Sequence, residues 1–199
     1  MKYLKTFNES INENIDTLTD TLTDTTIENL VDKLNFPSNI QEKVINWWNT
    51  NRSGFELDFF PFNTNQPILG CFLGGKKLAI NSKGGRMVPK EILLFVALHE
   101  SCHADQYKEG RFENGYFNSV INDNKEQFVT SYKELEKEAN DYGLNGMKEM
   151  GFDIFVKNAS RWGLRDNEFA YDEVYEMMKK DIEKYKPNNF VELLLKQIK

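Results

Sequence analysis

The chain has 199 residues, 40% hydrophobic and 13% aromatic, which suffices for one sizeable core and leaves little room for a second full domain. Its net charge of −6 argues against nucleic acid and against an anionic membrane as partners, because both are bound through excess Lys and Arg. No apolar stretch has the length of a secretory signal core or a membrane span, so we expect a cytoplasmic protein. Two cysteines, Cys71 and Cys102, are too few for a disulfide scaffold and are interpreted as free thiols.

The first half of the chain predicts helices followed by short strands. Residues 1–28 are rich in Asn, Asp and Thr and predict a flexible polar arm ahead of a single domain over residues 29–199. Apolar residues recur at helical spacing from Ile27 to Leu34, and Ser38 is suited to cap a second helix. The runs FELDFFPF, PILGCFLGG and KKLAIN, punctuated by Gly, Pro and Asn, indicate strands of a small antiparallel or mixed sheet.

The second half predicts mostly helix. Pro89 is suited to begin a helix that runs to about Tyr107 and stops before Gly110. After the polar stretch ENGYFNSVINDNKEQ, further helices are predicted over about 126–142, 144–150, 167–185 and 188–198. We therefore predict an α+β fold, a mostly helical domain whose small sheet packs on the helix that begins at Pro89.

That helix contains both histidines of the chain, in the segment LFVALHESCHADQ. His99 and His103 are one helical turn apart, so both imidazoles can point at one metal ion, while Glu100 is offset and suited to act as a base. An ordinary half-buried histidine pair is the alternative. The apolar run before His99 argues against it, because burying two imidazoles and a carboxylate without partners costs several kcal/mol.

A zinc ion at this position needs a third protein ligand, and the chain has no third histidine. On the downstream segment YKELEKEANDYG, Glu138 falls beside the apolar stripe of the predicted helix, whereas Glu136 is expected to point away. Glu138 is therefore the expected ligand, with Glu134 and Asp141 behind it and Glu109 less favoured. A solvated charged face with pairs at i and i+4 is the alternative for this segment.

The two segments together resemble the gluzincin arrangement of zinc metallopeptidases. In that arrangement H-E-x-x-H is completed by a glutamate on a downstream helix, and the run Glu136 to Asn140 is similar to the second motif of small zincin-like peptidases such as the ImmA/IrrE group. The resemblance covers roughly residues 88–145. It implies a zincin-like fold with Zn²⁺ bound by His99, His103 and Glu138.

The expected function is zinc-dependent hydrolysis of a peptide or protein substrate, with Glu100 as general base. An extended substrate is expected to add to a sheet edge, with KKLAIN as the favoured strand. Asp105 and Asp141 are candidates to orient the histidines, and Cys102 is expected to be buried rather than to bind metal. An oxyanion donor is expected among Tyr107, Arg111, Tyr132, Tyr142 and Tyr171.

Two alternatives to a peptidase remain open. One is a non-catalytic metal-binding scaffold or regulatory protein, which would use the same ligands but would have no need of a base at Glu100. The other is a phage-type accessory protein in which the polar N-terminal arm carries the function.

Overall fold

The computed structural model describes residues 26–60, 69–81, 88–164, 171–190 and 192–193. These residues are mostly helical and include one small mixed sheet, which confirms the predicted α+β class. The α-helices are α1 (Ile27–Lys33), α2 (Ser38–Asn51), α3 (Lys90–Lys108), α4 (Asn118–Ile121), α5 (Lys125–Glu149), α6 (Asp153–Lys157) and α7 (Tyr171–Tyr185). The strands are β1 (Glu56–Phe60), β2 (Gly70–Phe72) and β3 (Lys77–Asn81).

The sheet has the order β1-β3-β2, with β1 parallel to β3 and β2 antiparallel to it. The segment KKLAIN forms β3, which is paired on both sides, so the prediction that it offers an edge to substrate is wrong. Leu78, Ala79 and Ile80 are fully buried, as expected of a central strand that is covered on both faces. Among the described strands, β2 is the edge on the side of α3.

Helix α3 packs between this sheet and α5, and it confirms the predicted helix from about Pro89 to Tyr107. Fourteen of its residues are buried, which explains why its sequence is apolar nearly all round before His99. Contact with β2 is close, since a Cβ on Gly70 would lie 2.4 Å from a methyl carbon of Val96. Gly110 has a φ of +74°, a value that favours glycine and ends the helical segment.

Helix α5 is continuous from Lys125 to Glu149, whereas the sequence predicted two helices over 126–142 and 144–150. Gly143, which suggested the break, lies in the helix interior because its missing side chain lets α5 approach α3. The Asn124 side chain caps the helix by accepting a hydrogen bond of 3.0 Å from the backbone N–H of Gln127.

Helical structure also occupies the stretch that the sequence indicated as a polar connection. A π-helix over Phe112–Phe117 leads directly into α4, and a 3₁₀-helix over Ala159–Trp162 follows α6. Two hydrophobic clusters result, one around the sheet and α3, the other an aromatic cluster between the π-helix, α5 and α7.

Several sequence predictions fall partly beyond the described part of the chain. Of the predicted arm, residues 1–25 lie outside it, and α1 already begins at Ile27. Most of the helix predicted over 188–198 lies outside it as well, while α7 falls within the range predicted as 167–185. In the described ranges no helix combines the length and apolar character needed to cross a membrane.

Candidate metal centre

The two histidines of α3 face each other in a buried site. His99 and His103 are 3% and 7% exposed, and their Nε2 atoms are 3.0 Å apart. This is the arrangement expected of imidazoles separated by one helical turn on the buried side of a helix. Neither ring reaches water freely, so each needs a partner within the protein.

The carboxylate that joins them belongs to Glu136, and the prediction of Glu138 is corrected here. The Glu136 oxygens lie 3.5 Å from His99 Nε2 and 3.5 Å from His103 Nε2. Glu136 is 7% exposed, although the sequence placed it on the side of the helix that points away. Within the described ranges, these three residues form the one group of His, Cys, Asp or Glu side chains whose geometry suits a metal ion.

Glu138 points to the surface, where its side chain is half exposed and pairs with Arg111. The other acidic candidates are also away from the histidines. Asp141 pairs with Lys137 at 2.7 Å on the exposed face of α5, and Glu134 is exposed. Glu109 is exposed and lies 3.8 Å from the Arg111 guanidinium.

Close packing between α3 and α5 turns Glu136 inward. A Cβ on Gly143 would lie 2.7 Å from the Phe95 ring, and one on Gly146 would lie 3.1 Å from Leu98. These contacts put the side of α5 that carries Gly143 against α3, and residues 136, 140 and 143 share that side at helical spacing. The sequence analysis ended the helix at Tyr142, so these glycines did not contribute to its estimate of the inward direction.

Each histidine has an amide oxygen at its second ring nitrogen. His99 Nδ1 is 3.1 Å from Asn140 Oδ1, and His103 Nδ1 is 2.8 Å from Gln106 Oε1. Because an oxygen acceptor at Nδ1 requires the proton there, both Nε2 atoms present lone pairs when the rings are neutral. The predicted orienting residues, Asp105 and Asp141, do not occupy these positions.

The charges within the cluster shift its pKa values strongly. Burial lowers the pKa of His103, but the charge and hydrogen bond of Glu136 outweigh burial and raise it to about 9. Burial likewise raises the pKa of Glu136, yet the two histidines outweigh this and hold it well below its usual range. Without a metal, the site is therefore a buried ion cluster with a shared positive charge.

The three side chains fit a zinc ion. A tetrahedral zinc with bonds of about 2.0–2.2 Å needs ligand atoms about 3.3–3.6 Å apart, and the three separations are 3.0, 3.5 and 3.5 Å. Two neutral imidazoles with lone pairs directed at each other repel unless a cation or proton lies between them. Two nitrogens and a carboxylate oxygen are also a donor set that zinc accepts.

Glu100 lies beside this cluster at the edge of the sheet. It is 7% exposed, and its Oε2 accepts a hydrogen bond of 2.9 Å from the backbone N–H of Phe72 in β2. Ladder hydrogen bonds to β3 are made by Leu69 and Leu73, so the backbone groups of Gly70 and Phe72 point away from β3. The carboxylate of Glu100 is thus oriented by the outer edge of β2.

Aromatic side chains close the opposite side of the cluster. The Phe112 ring meets His103 edge-on at 5.5 Å and stacks on Phe190 at 4.8 Å. Tyr116, also from the π-helix, packs on Tyr132, with ring centroids 5.4 Å apart. Since π-helical turns often occur at functional sites, this irregular turn is consistent with a role in shaping the centre.

Of the candidate oxyanion donors, Tyr132 lies nearest in sequence and direction to the cluster, one helical turn before Glu136. Burial and then the charge of Glu136, with a smaller contribution from Glu100, raise the pKa of Tyr132. The others have different surroundings. Arg111 pairs with Glu138, Tyr142 lies under the Arg52 guanidinium, Tyr107 packs on Phe72, and Tyr171 packs on the outer side of Tyr132.

A pocket opens on the side of His99 and Glu100. Its wall is almost entirely apolar and is formed by β2, the first half of α3 and the 3₁₀-helix. The lining residues are Leu69, Gly70, Val88, Ile92, Phe95, Val96, His99, Glu100, Trp162 and Leu164.

Cys102 and Asp105 lie on another side of α3. Cys102 is 4% exposed, and burial, with a smaller contribution from Glu138, raises its pKa to about 12. The thiol therefore stays protonated, in keeping with the expectation that it is a core residue. Asp105 pairs with the buried Arg52 rather than with a histidine.

The chain matches no protein-family model, and comparison with curated proteins and with solved structures finds no significant match.

Proposed function

We propose that the protein is a zinc-dependent hydrolase of peptide bonds. The convergence of His99, His103 and Glu136 on one buried point carries this proposal, because the three offer the donor set of a catalytic zinc site and leave a fourth position for water. Zinc supplies Lewis acidity, which lowers the pKa of water and polarises a carbonyl oxygen. Glu136 takes the role that the sequence analysis gave to Glu138.

Glu100 accepts the proton of the attacking water and returns it to the leaving amine. The bond from the Phe72 N–H supports this role, because it holds one carboxylate oxygen and leaves the other for the proton. Tyr132 is the proposed donor to the oxyanion, since it is on the same side of α5 as Glu136 and next to the cluster.

An extended substrate would lie along the outer edge of β2, next to Glu100. The apolar pocket beside His99 and Glu100 is suited to receive an apolar side chain of that substrate. Phe112 and Tyr116 cover the other side of the cluster, which supports an approach from the β2 side.

The burial of all three ligands favours one further candidate, a non-catalytic metal-binding scaffold. His99, His103 and Glu136 are each at most 7% exposed, as in metal sites that serve folding. In that case the Glu100 bond to Phe72 would serve only to join α3 to the sheet.

Glu100→Gln separates the two functions. We expect purified wild type to contain about one zinc per chain and to hydrolyse a quenched fluorescent casein. Glu100→Gln should retain the zinc and the thermal stability but lose activity by about 10²–10⁴-fold. Equal activity of the variant and wild type would remove Glu100 as base, and a wild type that binds zinc without hydrolysing any substrate tested would favour the scaffold.

A further inference from the structure

Gln106 is a fully buried amide at the junction of α3 and α5. It is 1% exposed, and three partners surround it: His103, the Leu135 carbonyl and the Glu138 carboxylate. We propose that Gln106 is a positioning residue that fixes the ring of His103 and holds Glu136 in register with it. This inference rests on the proposed zinc centre.

The orientation of the amide follows from its partners. Gln106 Nε2 donates to the Leu135 carbonyl at 3.0 Å and to Glu138 Oε2 at 3.3 Å. A carbonyl and a carboxylate paired with Arg111 only accept, so the amide nitrogen belongs on that side. The amide oxygen consequently faces His103 Nδ1, which must donate, and Nε2 keeps its lone pair for a metal.

The same contacts reach both sides of Glu136. Leu135 precedes Glu136 in α5, and Glu138 follows it by two residues. By binding both, Gln106 joins one ligand of α3 to the turn of α5 that presents the carboxylate ligand. The pair between Glu138 and Arg111 extends this network to the surface, which gives Glu138 a position in the site other than that of a ligand.

Asn140 provides an internal comparison. Its side-chain oxygen contacts His99 Nδ1 at 3.1 Å, so each histidine has its own amide partner. The chain contains only two histidines, and spectra of imidazole protons therefore separate the two effects. Gln106→Leu and Asn140→Leu remove one acceptor each while keeping an apolar side chain of similar size.

The test uses full-length protein titrated with Zn²⁺ in competition with a chelator, together with proton and nitrogen spectra of the zinc-loaded imidazoles. Wild type should show two protected, downfield Nδ1 protons. Gln106→Leu should lose protection at His103 alone and bind zinc about 10–100-fold more weakly. Asn140→Leu should lose protection at His99 alone, and Gln106→Glu, which keeps an acceptor, should retain the His103 proton.

The outcomes distinguish this inference from the proposed centre. A folded Gln106→Leu variant with unchanged zinc affinity and an unchanged His103 proton would overturn the role of Gln106 alone. Should Gln106→Leu fail to fold, loss of the His103 proton in Gln106→Glu would overturn it equally. Failure of wild type to bind zinc would overturn the metal centre, and the positioning role with it.

Discussion

The two faces of α5 contain glutamates in opposite settings, although Glu136 and Glu138 are only two residues apart. About 200° of rotation separates them on the helix. Glu136 is buried with two imidazoles as partners, while Glu138 is half exposed and pairs with Arg111. A buried carboxylate is tolerated only where opposite charge or a metal compensates for lost hydration, whereas a surface pair is screened by water. Burial therefore identifies which glutamate belongs to the centre.

The largest expected effect comes from changing the buried glutamate. Glu136→Gln replaces a charged ligand by a neutral amide, so stoichiometric zinc binding should be lost, with affinity lower by more than about 100-fold. Glu138→Gln is the matched control, since its amide oxygen can still accept from Gln106, and it should keep one zinc per chain. Metal analysis after gel filtration distinguishes the two. Zinc loss in Glu138→Gln but not in Glu136→Gln would restore the original sequence prediction.

The sequence was sufficient for α3, because a motif of three polar residues within an apolar helix leaves few alternatives. His99, Glu100 and His103 could be selected from spacing and cost of burial alone. The direction of α5 could not be derived in the same way. Its acidic residues at 134, 136, 138 and 141 cover much of the helix circumference, so a small error in the inward direction exchanges one glutamate for another.

Stability against pH probes the ion cluster in zinc-free protein. The raised pKa of His103 contributes stability that is complete below its ordinary value of 6.5 and lost as pH rises through about 9. The lowered pKa of Glu136 contributes stability that is present above 4.5 and lost as pH falls further. Between pH 6.5 and pH values above 9, the unfolding free energy should decrease on the order of 3 kcal/mol.

Urea unfolding in the presence of a chelator measures this dependence. Other groups also titrate, so the informative quantity is the difference between wild type and Glu136→Gln at each pH. The alkaline decrease should disappear in Glu136→Gln and persist in Glu138→Gln. Parallel profiles for wild type and Glu136→Gln would contradict the cluster.

Gly143 tests the packing that turns Glu136 inward. In Gly143→Ala the new methyl group would lie 2.7 Å from the buried Phe95 ring, so α5 must shift or the ring must move. Overpacking of this kind costs about 1–3 kcal/mol, partly offset by the better helix propensity of Ala. Asn145→Ala, on the exposed face of the same helix, is the control and should not lower the urea midpoint. Equal midpoints for the two variants would argue against close contact here.

The glycines also explain what sequence patterns missed about the fold. Gly143 looks like a helix stop in a sequence, because isolated glycine lowers helix propensity. Its role depends on Phe95, which lies 48 residues earlier in the chain. For the same reason β3 could not be recognised as the central strand until its partners β1 and β2 were known.

The smallest effect should come from the exposed face of α5. Lys137 and Asp141 form an i, i+4 pair at 2.7 Å, with both side chains more than half exposed. The hydrogen bond and charge of Asp141 raise the pKa of Lys137, but the solvent-exposed pair must also fix two mobile side chains. In a double-mutant cycle of Lys137→Ala and Asp141→Ala, coupling should fall within error at about 0.15 M salt. Zinc affinity should stay unchanged in all three variants. A strong, salt-independent coupling would show that the outer face of α5 also contributes to the centre, and the contrast between its two glutamates would then need a different explanation.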